Sequence, residues 1–215
     1  MGRCVWGTIS LAFDSLFSIL YSLPKETAMN ASAWDEFQQL LACEGDWLAE
    51  LEPLALPLDE RVAAGYAERN LSALGMLDVL DERSADVSEE DSPLVQDLAR
   101  MDAKLTALIH IINRVLIPDA LTRPRHALRF NALGVLLPPE LAPAGEGALL
   151  RIRLDGCPSF PLELPVRVER RFPDGGVFAT FENHSEPLSE GLERMVFRHH
   201  RRRVAVTRQG HVPMA

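Results

Sequence analysis

Three arginines set close together, Arg123, Arg125 and Arg129, are the residues of this 215-residue chain best suited to recognise a charged small molecule. A guanidinium presents planar, paired donors that match phosphate oxygens two at a time, and its flat face stacks on a purine ring. Arg123 and Arg125 flank Pro124 in a connector, where a bound ligand could order the chain. The competing use for the same side chains is to solvate the connector or to pair with acidic residues of the same assembly.

Other arrangements that could do chemistry are weaker. Catalysis asks for a nucleophile with a base and an orienting group, a glycine loop that cradles phosphate, or paired carboxylates in a pocket, and none of these is written here. Gly145-Glu146-Gly147 lacks the strand-to-helix context of a dinucleotide loop and reads as a turn. Cys157 beside Pro158 has no recognisable histidine partner, and Glu163 alternates with apolar residues as a solvent-facing strand residue does. His199 and His200 are adjacent, so on a helix they point to different faces, whereas helical metal pairs are four apart. Glu89, Glu90 and Asp91 lie in a polar stretch without a histidine. No metal site, no resident cofactor and no enzymatic activity are expected.

The elements that must carry the arginines follow from periodicity. From Ser32, the residues Trp34, Phe37, Leu41, Leu48 and Leu51 follow helical spacing and predict a first helix ending near Pro53. Pro57 and Asp59 open a second helix, whose face Val62, Tyr66, Leu71, Leu74, Leu77 and Leu80 runs to the polar stretch Asp81 to Asp91. Ser92 caps a third helix and Pro93 takes its first position. Its apolar residues Leu94, Leu98, Met101, Leu105, Leu108, Ile112 and Val115 alternate gaps of four and three, the heptad pattern of a coiled coil. Ile109, Ile111 and Leu116 widen that face beyond a two-stranded seam, so a bundle of higher order, favouring four copies, is expected over a hairpin with the second helix. After Pro118 the period becomes two. Leu128 with Phe130, Leu149 to Leu154, Leu162 to Arg170 and Gly176 to Phe181 read as strands of a small antiparallel barrel, and a last helix starts near Ser185 to Pro187.

Charge divides the chain. The net charge is -9, yet residues 1–120 hold 8 basic and 21 acidic side chains, whereas 121–215 hold 14 and 10. The acidic half opposes nucleic acid, and the basic run Arg201-Arg202-Arg203 suits the C-terminal end of a helix dipole. Cys4, Cys43 and Cys157 are too dispersed for a disulfide framework, which fits a reducing, cytoplasmic setting. Val5 to Leu23 is apolar but interrupted by Asp14, so no membrane span is expected, and residues 1–28 read as an extension ahead of Met29. The expected organisation is this extension, a helical oligomerisation region over 29–120, and a barrel with its closing helix over 121–215.

The sequence resembles the atypical, tetramer-forming branch of the PilZ family. Leu98-Ala99-Arg100-Met101-Asp102-Ala103-Lys104-Leu105 is similar to that branch's lead-in helix, and Leu128 to Val135 to its first strand. Leu188 to Arg194 and Phe197 to Arg203 are similar to its closing helix. The resemblance implies an α+β fold of heptad helices, a small antiparallel β-barrel and a C-terminal helix. It also implies a place in cyclic di-GMP signalling in bacteria, as receptor or as adaptor to signalling proteins of that pathway, with a scaffold that has lost nucleotide binding as the alternative. Arg125-His126-Ala127-Leu128-Arg129 spells the family's arginine clamp. Gly134 matches the glycine of its second motif, but Asn131 stands where serine would be and Arg129 where the acidic residue would be. Arg123, Arg125, Arg129, Asn131 and Gly134 are therefore the candidate ligand residues, and the seven heptad residues the candidate oligomerisation seam.

Overall fold

A computed structural model of the chain describes residues 32–83, 93–118, 123–155, 158–182 and 185–209. Residues 1–28, the acidic trio Glu89, Glu90 and Asp91, the cap Ser92 and Cys157 lie outside the described residues, as does the side chain of Leu94.

Six strands close into an antiparallel barrel in the order β1-β2-β3-β6-β5-β4. They are β1 (Cys43–Pro53), β2 (Arg125–Phe130), β3 (Gly134–Leu137), β4 (Gly147–Arg153), β5 (Leu162–Arg171) and β6 (Val177–Phe181). The barrel is filled by alternate residues of these strands, among them Phe130, Val135, Leu150, Ile152, Leu164 and Val166, all at most 1% exposed. The tight β5–β6 turn is expected from Pro173-Asp174-Gly175-Gly176. It works because Gly175 takes a positive φ of 88° and Asp174 Oδ1 accepts the Gly176 N–H at 3.0 Å.

Four α-helices and a 3-10 turn at Pro139–Leu141 accompany the barrel among the described residues: α1 (Ala33–Gln39), α2 (Glu60–Arg83), α3 (Pro93–Leu116) and α4 (Glu186–Gln209). α2 and α4 pack on each other, with Leu74, Leu77, Leu188, Leu192, Met195 and Val196 joining the barrel core. Their crossing is close, since a side chain on Gly191 would meet Leu74 Cδ1 at 2.9 Å. Asn70 docks α2 on β5 by imitating a neighbouring strand: its Nδ2 donates to Glu163 O at 2.7 Å, and its Oδ1 accepts the Glu163 N–H at 2.6 Å. α1 packs on the barrel through an aromatic cluster in which Trp34 stacks on Phe37 and meets Phe172 and Phe178 edge-on.

Two expectations need correction. The first helix is short, and Cys43–Pro53 is a strand supplied to the barrel by the region expected to be helical, 29–120. Trp47, Leu48 and Leu51 satisfy helical spacing, but Cys43, Trp47, Ala49 and Leu51 also alternate with Glu44, Asp46, Glu50 and Glu52. The barrel resolves that ambiguity, because β1 pairs with β2 and β4, some eighty to a hundred residues further on. The second correction concerns the stretch 128–135. It is not one strand: β2 ends at Phe130, and β3 begins at Gly134 after a turn.

Candidate functional site

The arginines meet carboxylates across the barrel wall. β1 presents Glu44, Asp46, Glu50 and Glu52 on its outer face; Glu44 stands opposite Arg129 of β2 and Glu50 opposite Arg151 of β4, and opposite charges facing each other across strands stabilise the pairing. Arg123 bonds Glu50. Arg125 bonds Asp155 and donates to Asp46 O at 2.9 Å. Arg129 stands directly across from Glu44, with its Nε 3.4 Å from Glu44 Oε1 and its guanidinium 5.4 Å from the Phe37 ring centroid. Each of the three candidate arginines therefore has an acidic neighbour.

Asn131 and Gly134 are engaged by the fold. Asn131 is 1% exposed. Its Oδ1 accepts the N–H groups of Leu133 at 2.9 Å and Gly134 at 3.2 Å, while Nδ2 donates to Phe37 O at 3.1 Å. It shapes the β2–β3 turn and ties α1 to it. A Cβ at Gly134 would press on Ala179 O and lie 3.1 Å from Thr180 Cα, so the glycine lets β3 approach β6. The structure thus places Arg125, Arg129 and Gly134 on the neighbouring strands β2 and β3 and Asn131 in the turn between them, but of these only the arginines face outward.

Arg129 borders two clefts. One, of about 650 Å³, is lined by Trp34, Phe172 and Leu136 together with Glu44, Asp46 and Asp174. The other, of about 590 Å³, lies toward the end of α4. Glu163 belongs to neither. Contrary to the expectation of a solvent-facing residue, its side chain is 17% exposed and holds both Arg69 and Arg151. Burial pushes its carboxyl up, but the hydrogen bonds and charges of Arg151 and Arg69 outweigh that and hold it below its ordinary value. Burial pushes the Cys43 thiol up to about 12, against a smaller opposing effect of Arg203, so at neutral pH it is a protonated thiol inside the core.

The heptad helix is the most exposed apolar element. Along α3, Leu98, Met101, Leu105, Leu108, Ile112 and Val115 are between 45% and 72% exposed, and Ile111 and Leu116 are 58% and 62% exposed. At about 100° per residue these eight side chains span an arc of about 140°, wider than an a/d seam. The helix is tied to the barrel at its C-terminal end. Asn113 Oδ1 accepts from Ser159 Oγ at 2.5 Å, and Ile117 is buried. Sequence reasoning did not single out Asn70, Asn113 or the aromatic pairing of Trp34 with Phe172. A lone polar residue in a helix carries no signal of a strand far along the chain, although Trp34 and Phe37, three apart, do mark one face.

No described helix is long and apolar enough to cross a membrane. The sequence matches the family model of the atypical PilZ domain, cyclic di-GMP receptor, over residues 71–209. Nothing among curated proteins matches. A solved structure of a protein from Xanthomonas campestris is similar, with 30% identity and a TM-score of 0.59 over 80% of this chain and 96% of that one. That protein is described as a tetrameric PilZ domain self-assembled via an unusual helical bundle. With the six-stranded barrel, the closing helix and the heptad helix all in place, the chain belongs to the atypical PilZ domain family of cyclic di-GMP receptors.

Proposed function

We propose that this chain is a non-enzymatic, self-associating adaptor of cyclic di-GMP signalling, a homotetramer held by α3 that presents its barrels to proteins of that pathway. The exposed apolar arc of α3 carries this reading. A helix with such an arc has no stable place in water, and in a four-helix bundle each helix touches two neighbours, which suits an arc wider than one seam. The similar Xanthomonas campestris protein, described as a tetramer built on a helical bundle, supports the same assembly. Sedimentation of the full chain tests it: a tetramer at micromolar concentration is expected, and a monomer overturns it.

Direct binding of the nucleotide is the second reading, favoured by the 650 Å³ cleft in which Arg129 stands near Trp34 and Phe172. Phosphate and purine suit a guanidinium beside an aromatic ring. The adaptor reading is preferred because ligand phosphates would have to displace carboxylates from Arg123, Arg125 and Arg129. Isothermal titration with cyclic di-GMP separates the two. Heat that vanishes in Arg125→Ala and Arg129→Ala establishes a receptor, whereas no heat at high protein concentration leaves the adaptor.

A further inference from the structure

The cleft of about 650 Å³ has the volume of a ligand site, and its lining combines apolar surface with carboxylates. Trp34, Leu136 and Phe172, each half-buried, supply the apolar part. Glu44, Asp46 and Asp174 bring three carboxylates against the single guanidinium of Arg129.

The cations in and around this cleft are engaged. Arg129 stands across from Glu44, 3.4 Å from its carboxylate, and Arg203 lies 3.7 Å from the same group. Arg125 bonds Asp155, and the guanidinium of Arg170 lies 5.1 Å from the Phe172 ring centroid. Asp46 and Asp174 differ from Glu44. Both are exposed, and among the described residues neither carboxylate has a cationic partner. The residue directly across from Asp46 on β2 is Ala127, which cannot reach it. Asp174 is held by its own turn, since Oδ1 accepts the Gly176 N–H at 3.0 Å, so an occupant meets a carboxylate already oriented.

A phosphate entering here meets three carboxylates and an arginine that is already paired. A guanidinium meets two carboxylates it can bind through paired donors, and an indole in the same lining on which it can stack. The barrel is closed, so its strands offer a peptide no free edge, and recognition rests on side chains.

We propose that this cleft docks a segment of a partner protein in which arginine adjoins apolar residues, an inference that rests on the adaptor reading. Its guanidinium groups pair with Asp46 and Asp174, and its apolar residues cover Trp34 and Leu136.

Fluorescence polarisation of the full chain tests the proposal at about 0.15 M salt, where diffuse attraction of a cationic peptide to an acidic protein is screened beyond about 8 Å. A fluorescein-labelled decapeptide of alternating arginine and leucine is expected to bind saturably, about tenfold tighter than a glutamine–leucine control. Asp46→Asn and Asp174→Asn should each weaken it about tenfold, the latter keeping an oxygen for the Gly176 N–H. Ala127→Arg places a guanidinium of the chain's own across from Asp46 and should abolish binding. Glu68→Gln, on an exposed position of α2, leaves it unchanged. Thermal melts show which variants keep their fold, and a folded Ala127→Arg that binds like wild type overturns the proposal. Equal binding of the two peptides, or an equal loss in Glu68→Gln, overturns it as well. So does displacement by cyclic di-GMP, or by free arginine at the peptide's own concentration, which marks a small-cation site. A tetramer that binds neither peptide removes this surface and leaves the adaptor reading standing. A monomer in sedimentation removes the adaptor reading itself.

Discussion

Asn131 shows how one side chain can be legible as important and illegible in its role. The family's second motif draws attention to Asn131 and Gly134, and both do occupy special positions. Their partners, however, are Phe37 O and the turn N–H groups for the asparagine, and β6 for the glycine. A motif records which residue type a place requires, and a buried amide satisfying three backbone groups requires asparagine as strictly as a ligand would. Removing that amide leaves two N–H groups and a carbonyl without partners in a buried site. Each unsatisfied buried group costs about 1–3 kcal/mol, so Asn131→Ala is expected to destabilise the fold by about 3 kcal/mol. Chemical denaturation checks this: a midpoint unchanged from wild type would show that water replaces the amide. The arginines are harder to read in sequence, because their acceptors Glu44, Glu50 and Asp155 become neighbours only once strands pair.

Among the elements, α3 and β1 mark the two extremes of legibility. The heptad of α3 is local and repetitive, so its gaps of four and three define both the helix and its apolar face without knowledge of anything else. β1 is written in Glu, Ala and Leu, residues that favour helices, and its strand state comes from partners distant in sequence. Local propensity loses there because closing the barrel satisfies a whole row of backbone donors and acceptors. The same contrast separates the effects of mutation. Leu105 is 45% exposed on α3 and has no part in the barrel core. Truncating a buried leucine costs about 2–5 kcal/mol, a buried carboxylate costs more, and a symmetric bundle meets that cost in every subunit. Leu105→Asp is therefore expected to yield a monomer whose barrel still melts cooperatively. Sedimentation and circular dichroism on one sample decide it, and a tetramer that survives the aspartate would move the interface elsewhere.

At the scale of the whole molecule, the barrel does not begin where the family match begins. The match starts at Leu71, within α2, whereas β1 precedes that helix and pairs with β2 through Cys43 to Leu48 and with β4 through Leu48 to Pro53. Cutting the chain ahead of α2 removes one strand of six, exposes the facing edges of β2 and β4, and takes Trp47 and Ala49 out of the core. It also uncovers the aromatic wall that Trp34 and Phe37 protect. An open barrel with two unpaired edges and an exposed core is prone to aggregate. A chain of residues 60–215 is thus expected to lose its cooperative thermal transition and to bind an apolar dye, while residues 32–215, which keep β1, retain a cooperative transition. Adding a synthetic peptide of residues 32–55 should restore part of the transition, since that segment holds the whole of α1 and β1. Equal melting of 60–215 and the full chain would mean that the barrel closes without β1, and that the pairings of Glu44 with Arg129 and Glu52 with Arg151 are incidental to its stability.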